Sequence, residues 1–409
     1  MSRKQIFIDF QLPNQVMSQW EKSTNGLTHS SLYPSVTIAR GLVSCHTVMP
    51  ELPEVERATA LLRSITKGNR IIRVETSEDN LVFQGPLSHE DFGREISGRV
   101  VKDAFRYGKY FYIELEGAGR MPLLHFGMTG MLHVKGQPTI QYRRKVHEDP
   151  DVWPPRFMKF ILHIEAETSG TTTELAFSDA RRLGRIRLVI HPREEPPISG
   201  LGFDPILTMP PLWEFQTLVL KRSCPIKALL LDQSFSAGVG NYLADEILYQ
   251  AKVHPEQRCN TFLQNQVEAL HREVADVCRI AVEADADDEK YPSHWLFKHR
   301  WGKGKKAQQS MKLPSGESAT IKWITVGGRT SAFVAEVQCL PHKQRAGKTE
   351  ATTEDESDLT PLSSDDDDDR PMVASRKRKL KSETTRRKSV GSSYTGEPLR
   401  EKRPRLKKH

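Results

Sequence analysis

The sequence predicts an α+β fold, an antiparallel β-sandwich followed by a helical domain, and three observations predict it. Strand-like runs crowd the chain before Pro210. Stripes of helical spacing replace them afterwards. Glycine and proline separate the runs throughout. A β-rich half followed by an α-rich half implies two domains with a cleft between them.

Taken in order, Glu54 to Thr66 opens the folded region as a helix, because Val55, Ala58, Leu61, Leu62 and Ile65 share one stripe. Strands are expected at Lys109 to Leu115, Phe160 to Ile164 and Arg185 to Ile190, where β-branched and aromatic residues cluster. Helices are expected at Leu212 to Leu220, Ile226 to Leu231, Tyr242 to Ala251 and Val267 to Ala284. A last hairpin pairs Ala319 to Val326 with Ser331 to Val337 across Gly327-Gly328, a strong two-residue turn signal.

The 409 residues exceed one ordinary domain, and only 37% are hydrophobic, so part of the chain enters no core. A net charge of +8 suits a polyanion, either nucleic acid or an acidic membrane surface. No apolar run approaches the ~20 residues of a membrane span. Cys45, Cys224, Cys259, Cys278 and Cys339 are odd in number and scattered, which argues for a reducing compartment and against a disulfide framework or zinc ribbon. From about Glu350 onward the chain is polar. An acidic run at Asp365 to Asp369 precedes the basic clusters Arg376-Lys377-Arg378-Lys379 and Lys402-Arg403-Pro404-Arg405. Such blocks read as a disordered tail, with a nuclear import signal and nonspecific DNA attraction as its expected uses.

The stretch Met49-Pro50-Glu51-Leu52-Pro53-Glu54-Val55-Glu56 carries the chemistry. Inside a chain, a proline nitrogen is a tertiary amide and no nucleophile. At an N-terminus it is a secondary amine, and an α-amino group titrates near ~8, against ~10.4 for lysine. A neutral amine can attack C1′ of a sugar and expel the base, and the resulting iminium has no N–H to lose. Glu51, beside it, is the natural general acid or base. Further along stand Tyr107-Gly108-Lys109-Tyr110, His125-Phe126-Gly127-Met128-Thr129-Gly130, Asp179-Ala180-Arg181-Arg182-Leu183-Gly184, Gly238-Val239-Gly240-Asn241-Tyr242 and Gly327-Gly328-Arg329-Thr330.

In this order the motifs resemble the formamidopyrimidine-DNA glycosylase family, across nearly the whole folded region. The resemblance implies a helix-two-turn-helix in the helical half and a β-hairpin finger after it. It implies a bifunctional DNA glycosylase and lyase of base excision repair, with damaged double-stranded DNA as partner, a monomer, and no cofactor. Pro50 becomes the nucleophile once the Met is removed. Glu51 protonates the opening sugar or departing base. Lys109 is a cation near the sugar, and Arg329 grips the phosphate beside the lesion and assists δ-elimination. A base in a duplex must be swung out before C1′ is reached. Met128, Arg181 and Leu183 match the family's gap-filling positions, although the family usually has an aromatic where Leu183 stands. Arg222, Lys227 and Asn241 match DNA-contacting positions. Asn241 follows Gly238-x-Gly240 at a helix start, where it either caps the helix or joins an anion site for phosphate. Glu54 helps order the site, and Glu56 is a first-turn acid favoured by the helix dipole.

Three departures bear on function. The Cys-x-x-Cys pairs that hold zinc in bacterial members are missing, so the finger resembles the zincless finger of plant and fungal members. The segment from Tyr291 to Lys306 is short where bacterial members close a longer loop over 8-oxoguanine, which favours ring-opened formamidopyrimidines and hydantoins as substrates. Finally, 48 residues precede Met49. Either translation starts at Met49 or a leader is cleaved. If neither happens, the chain is a noncatalytic damaged-DNA-binding module. The expected units are a leader or mis-assigned start (1–49), a β-sandwich catalytic domain (50–205), a helix-two-turn-helix DNA-binding domain (206–300), the finger (301–345) and the tail (346–409), and the expected compartment is the nucleus.

Overall fold

The computed structural model describes residues 49–138, 152–303, 311–313 and 315–341. Residues 1–48 of the expected leader and the whole tail lie outside the described residues, as do Cys45 and positions 304–306 of the short segment. The chain divides into two compact units, Met1–Thr360 and Pro361–His409, and the second lies wholly outside the described residues.

Two four-stranded antiparallel sheets form the N-terminal half. One has the order β1 (Arg70–Thr76), β6 (Met158–Glu165), β7 (Thr172–Asp179), β5 (Gly130–Val134). The other runs β2 (Val101–Tyr107), β3 (Tyr110–Leu115), β4 (Met121–His125), β8 (Arg185–Val189). Their facing side chains make one core. Ile71, Phe160, Leu162 and Phe177 come from the first sheet, and Val101, Phe111, Ile113, Leu124 and Ile186 from the second. The expected sandwich is therefore present. Helix α1 (Leu52–Thr66) adds Val55, Ala58 and Leu62 to that core and packs on β2, the predicted stripe facing inward. Helix α2 (His89–Ile96) packs on β1 and is capped by Ser88, whose hydroxyl accepts from the Asp91 N–H at 3.0 Å.

After Pro210 the chain is helical: α3 (Leu212–Leu220), α4 (Ile226–Leu231), α5 (Asn241–Gln250) and α6 (Gln264–Glu283). Helix α4 is buried on every side, and α5 on almost every side. A final antiparallel hairpin, β9 (Ile321–Val326) and β10 (Arg329–Val334), turns at Gly327 and Gly328, both at positive φ (57° and 70°). This pair of positive angles is what a tight two-residue hairpin turn demands. The hairpin has its own apolar cluster, with Ile321, Ala332 and Val334 against Leu296, Met311 and Tyr249 of α5.

A buried ion pair ties β2 to the segment that leads into the helical region. The Arg106 guanidinium on β2 meets Asp204, just ahead of the helical region, and the two side chains are 1% and 0% exposed. Arg106 also donates to Glu56 Oε2 at 2.5 Å and to the Gly108 carbonyl at 3.1 Å. Asp204 Oδ2 accepts the Gly108 N–H at 2.9 Å. The pair therefore fixes the turn between β2 and β3. Glu56, expected to be a dipole-favoured acid, is a partner of Arg106. Removing one member of a buried pair strands the other charge. Asp204→Ala should lower the unfolding free energy by about 3–5 kcal/mol, measured by urea denaturation of the full chain. A loss below about 1 kcal/mol, the range of surface pairs, would show that the pair is not sealed from water.

Candidate active site

The site begins at the foot of α1. Pro50 is buried there, and the Leu52 N–H donates to the Gly238 carbonyl at 3.1 Å. The Glu51 carboxylate sits on the N-terminus of α5. It accepts the backbone N–H of Gly240 at 2.9 Å, of Tyr242 at 3.0 Å and of Leu243 at 3.2 Å. The first turn of a helix has N–H groups with no partner inside the helix and a partial positive charge, so a carboxylate there is favoured. A glycine is required beneath it, because a Cβ at Gly240 would lie 2.2 Å from the Glu51 carboxyl carbon.

The N–H of Glu51 donates to Glu54 Oε2 at 2.9 Å, and the Tyr242 hydroxyl donates to Glu54 Oε1 at 2.8 Å. Both carboxyls are almost completely buried. Burial pushes the Glu51 carboxyl above its ordinary value, against the opposing pull of Lys109 and the α5 N–H groups. Burial, with Glu51 beside it, pushes Glu54 up to about 7.

Lys109 enters from the β2–β3 turn. Tyr107 pairs with Tyr110, leaving Gly108 and Lys109 as the two turn residues, and Gly108 alone has positive φ (58°). The close approach also needs glycine: a Cβ at Gly108 would lie 3.0 Å from the Ala237 Cβ and 3.2 Å from the Gly238 nitrogen. So Leu52, the Gly108–Lys109 turn and the Ala237–Gly240 turn pack together. His125, opposite Tyr110 in the sheet, accepts the Gly127 N–H at 3.0 Å through Nδ1. Burial and the cations Lys109, Arg185 and Arg187 hold it down to about 3, so it is neutral.

The two loops expected to fill the DNA gap meet at Asp179. Its carboxylate accepts the Thr129 hydroxyl, the Arg181 N–H at 3.2 Å and the Gly184 N–H at 2.6 Å. The loops touch so closely that a Cβ at Gly127 would lie 2.4 Å from the Leu183 carbonyl carbon. Arg181 is exposed and Leu183 half-buried. Met128 is buried at 3% exposure, so in this conformation it offers no wedge to a DNA strand, contrary to the sequence expectation.

The finger turn docks on α4, where a Cβ at Gly327 would lie 2.9 Å from the Ala228 Cβ. Arg329 begins β10 and is partly exposed. Asn241 Nδ2 donates to the Thr330 carbonyl at 3.1 Å, joining the start of α5 to the finger. Beneath them Asp245, fully buried, accepts from Lys227 Nζ at 2.6 Å, Arg300 Nη2 at 2.7 Å, Ser331 Oγ at 2.5 Å and the Ala332 N–H at 3.1 Å.

Two more expectations need correction. Lys227 is 0% exposed, and its ammonium donates to Asp245 and to the Asn241 carbonyl at 2.7 Å, so it is an internal cation and not a phosphate contact. The α5 N-terminus, expected to receive phosphate or an Asn241 cap, is occupied by Glu51. Gly240 is the cap residue, and Asn241 is the first residue of the helix. Arg222 stays half-buried ahead of α4. Sequence reasoning gave no structural role to Arg106, Asp179, Asp204 or Asp245. The one available signal was Asp179 opening a recognisable motif. Among the described residues no three His, Cys, Asp or Glu side chains are grouped to hold a metal ion, and no helix is long and apolar enough to cross a membrane.

Comparison with known proteins gives this arrangement its family. Residues 49–186 match the formamidopyrimidine-DNA glycosylase N-terminal domain, and residues 201–292 match the formamidopyrimidine-DNA glycosylase H2TH domain. A formamidopyrimidine-DNA glycosylase from Arabidopsis thaliana is 39% identical over 292 residues, covering 71% of this chain and 71% of that protein. One from Bacillus subtilis is 30% identical, covering 71% of this chain and 99% of that protein. The fold is that of Lactococcus lactis formamidopyrimidine-DNA glycosylase bound non-covalently to DNA containing an AP site, with TM-score 0.56 and 23% identity over 70% of this chain and 99% of that one. The chain belongs to the formamidopyrimidine-DNA glycosylase family of DNA-repair enzymes.

The raised Glu54 carboxyl makes stability depend on pH. Glu54 holds its proton more tightly in the folded chain (about 7) than at the ordinary value of 4.5. Its contribution is therefore complete below about 4.5 and is lost as pH rises through about 7. Glu54→Gln stays neutral throughout. Wild type should lose stability relative to this variant between about pH 5 and about pH 8, read by urea denaturation at both values. A pH-independent difference would show that Glu54 is already ionised at the lower value.

Proposed function

We propose that this chain is a bifunctional DNA glycosylase and AP lyase that uses Pro50 as its nucleophile. Ring-opened formamidopyrimidines and hydantoins are its preferred bases, and 8-oxoguanine is a poorer one. The observation that carries the reading is the position of Pro50. It is buried and directly precedes Glu51, whose buried carboxyl feels the charge of Lys109. Freed of Met49, the Pro50 secondary amine attacks C1′ and the base departs. The iminium that forms acidifies C2′, so the flanking phosphates are eliminated in turn. Glu51, its proton held by burial, serves as the acid for the sugar or base. Lys109 supplies a cation near the sugar. Arg329, at the finger, grips the adjacent phosphate. Asn241 and Arg222 flank the same DNA path, and Arg181 and Leu183 reach into the gap left by the extruded base.

The same proposal divides the chain into residues 50–205 for chemistry, 206–300 for DNA binding and 301–345 for a zincless finger, acting as a monomer. Retention of the leader would leave Pro50 an amide and the chain a damage binder only.

Protein begun at Met49 should form a borohydride-reducible cross-link to an abasic duplex and cut the strand by successive β- and δ-elimination. Pro50→Gly, with a primary amine, should keep a fraction of that activity. Glu51→Gln should slow excision of an intact damaged base about 10²–10⁴-fold while still cutting preformed abasic sites. Arg329→Ala should stall after β-elimination. If the intact 409-residue chain, with its leader verified by mass, traps DNA as well as the Met49 form, Pro50 is not the nucleophile.

The basic clusters at Arg376 to Lys379 and Lys402 to Arg405 support a nuclear location through an import receptor. A fluorescent chain ending at Arg345 should leave the nucleus. Undiminished nuclear accumulation would remove that role from the tail.

A further inference from the structure

The cysteines look scattered along the sequence, yet the fold brings two of them face to face. The segments before α4 and before α6 form a short antiparallel ladder, with a bridge between Pro225 and Arg258. The Ile226 N–H donates to the Gln257 carbonyl at 2.9 Å, and the Cys259 N–H to the Cys224 carbonyl at 3.0 Å. Cys224 and Cys259 are therefore cross-strand neighbours on one side of that bridge. Residues opposed in this way have Cα atoms about 5.5 Å apart, inside the window of about 4.4–6.8 Å that a disulfide spans. The two thiols already share a hydrogen bond.

We propose that Cys224 and Cys259 are a reversible dithiol–disulfide pair, oxidised by small hydroperoxides. The two positions are unequal in a way that sets the order of events. Cys224 is 8% exposed and Cys259 is sealed. The hydrogen bond from Cys259 lowers the Cys224 thiol, with help from the Arg222 guanidinium, and the same bond together with burial raises Cys259 strongly. Thiolate is the reactive form. The Cys224 sulfur attacks one oxygen of hydrogen peroxide. An S–O bond forms, the O–O bond breaks, and hydroxide leaves and takes a proton to become water. The Cys259 sulfur then attacks the Cys224 sulfenic acid. The S–S bond forms, the S–O bond breaks, and a second water departs with the Cys259 proton. Two thiols lose two electrons and two protons, and one peroxide becomes two waters. Neither other described cysteine competes for the bond. Cys278 is sealed within α6, and Cys339 is exposed on the finger side with its thiol donating to the Ala335 carbonyl at 3.5 Å.

Closing the bond would lock a loop containing all of α4 and α5, the helices that supply the seat of Glu51 and the Lys227–Asp245 pair. A cross-link of that length restricts the unfolded chain and stabilises the fold. In a reducing compartment such a bond is transient, which fits a pair that responds to oxidant and reverses with thiol.

The test oxidises the reduced full chain with hydrogen peroxide near neutral pH, blocks remaining thiols with N-ethylmaleimide under denaturing conditions, and maps peptides without reduction. The expected result is a Cys224–Cys259 linked peptide that dithiothreitol separates. It should come with a rise in Tm on the order of 5 °C that dithiothreitol reverses. Cys259→Ala should lose the rise and leave Cys224 as a sulfenic acid trapped by dimedone. Recovery of both cysteines as maleimide adducts while Cys339 carries the oxidation would overturn the proposal. So would a stable dimedone adduct on Cys224 in the wild-type chain. The peptide map is made on the wild type, so it decides the matter even if the variant does not fold.

Discussion

The geometry of this molecule depends on a carboxylate from one half seated on a helix N-terminus in the other. Glu51 precedes α1, which belongs to the β-sandwich core. Its acceptors face the first N–H groups of α5, in the helical half. Three hydrogen bonds and the helix dipole offset part of the cost of burying the carboxyl. The seat lies one residue before Leu52, whose N–H donates to the Gly238 carbonyl, and Gly238 in turn packs against Gly108 of the Lys109 turn. Gly240 is obligatory because the carboxylate occupies the volume of a side chain, and Gly108 because the turns meet.

Three further acids repeat the device. Asp179 gathers the loops after β4 and β7, Asp204 with Arg106 secures the β2–β3 turn, and Asp245 ties α4 and the finger to α5. Each collects backbone N–H groups together with a hydroxyl or a cation from distant parts of the chain. A buried carboxylate with one donor would be a liability. With three or four it defines a single arrangement, because any shift leaves several polar groups unpaired. The finger shows this well. Its apolar cluster gives it cohesion, while Asp245 gives it a register against α5, through Ser331 and Ala332, two and three residues from Arg329.

How legible this was in sequence followed from which forces leave a periodic trace. Helices α3 and α4 were expected at Leu212–Leu220 and Ile226–Leu231, and they lie there. Their apolar residues recur at helical spacing, and proline stands just before each. The finger turn was legible because two adjacent glycines between β-rich runs admit few other conformations. Strands β1, β4 and β5 left weaker traces. β1 (Arg-Ile-Ile-Arg-Val-Glu-Thr) is half polar and largely exposed, and β4 carries Pro122. At the site, motif order led to the expectations for Glu51 and Lys109, but no local pattern announces that a lysine is internal. Lys227 reads as a DNA contact in sequence because it matches a cationic position of the family. What buries it is Asp245, 18 residues away on the next helix.

The same contrast explains why Glu51 holds its proton more tightly than an ordinary glutamate despite so many donors. Hydrogen bonds from Tyr242 and Leu243, and the charges of Lys109 and Arg300, all favour the ionised form, yet burial outweighs them. Glu54, one turn along α1, adds to the effect on the pair, since two carboxyls this close in a dry site resist carrying two charges. Glu54 therefore keeps its proton to a higher pH than an exposed glutamate does. Tyr242 connects the two: its N–H bonds Glu51 and its hydroxyl bonds Glu54. A proton removed from Glu51 leaves an anion that the α5 N-terminus is already oriented to receive, so little reorganisation is needed when it goes. That combination, a raised carboxyl whose conjugate base has a prepared seat, suits the proton-donor role proposed for Glu51.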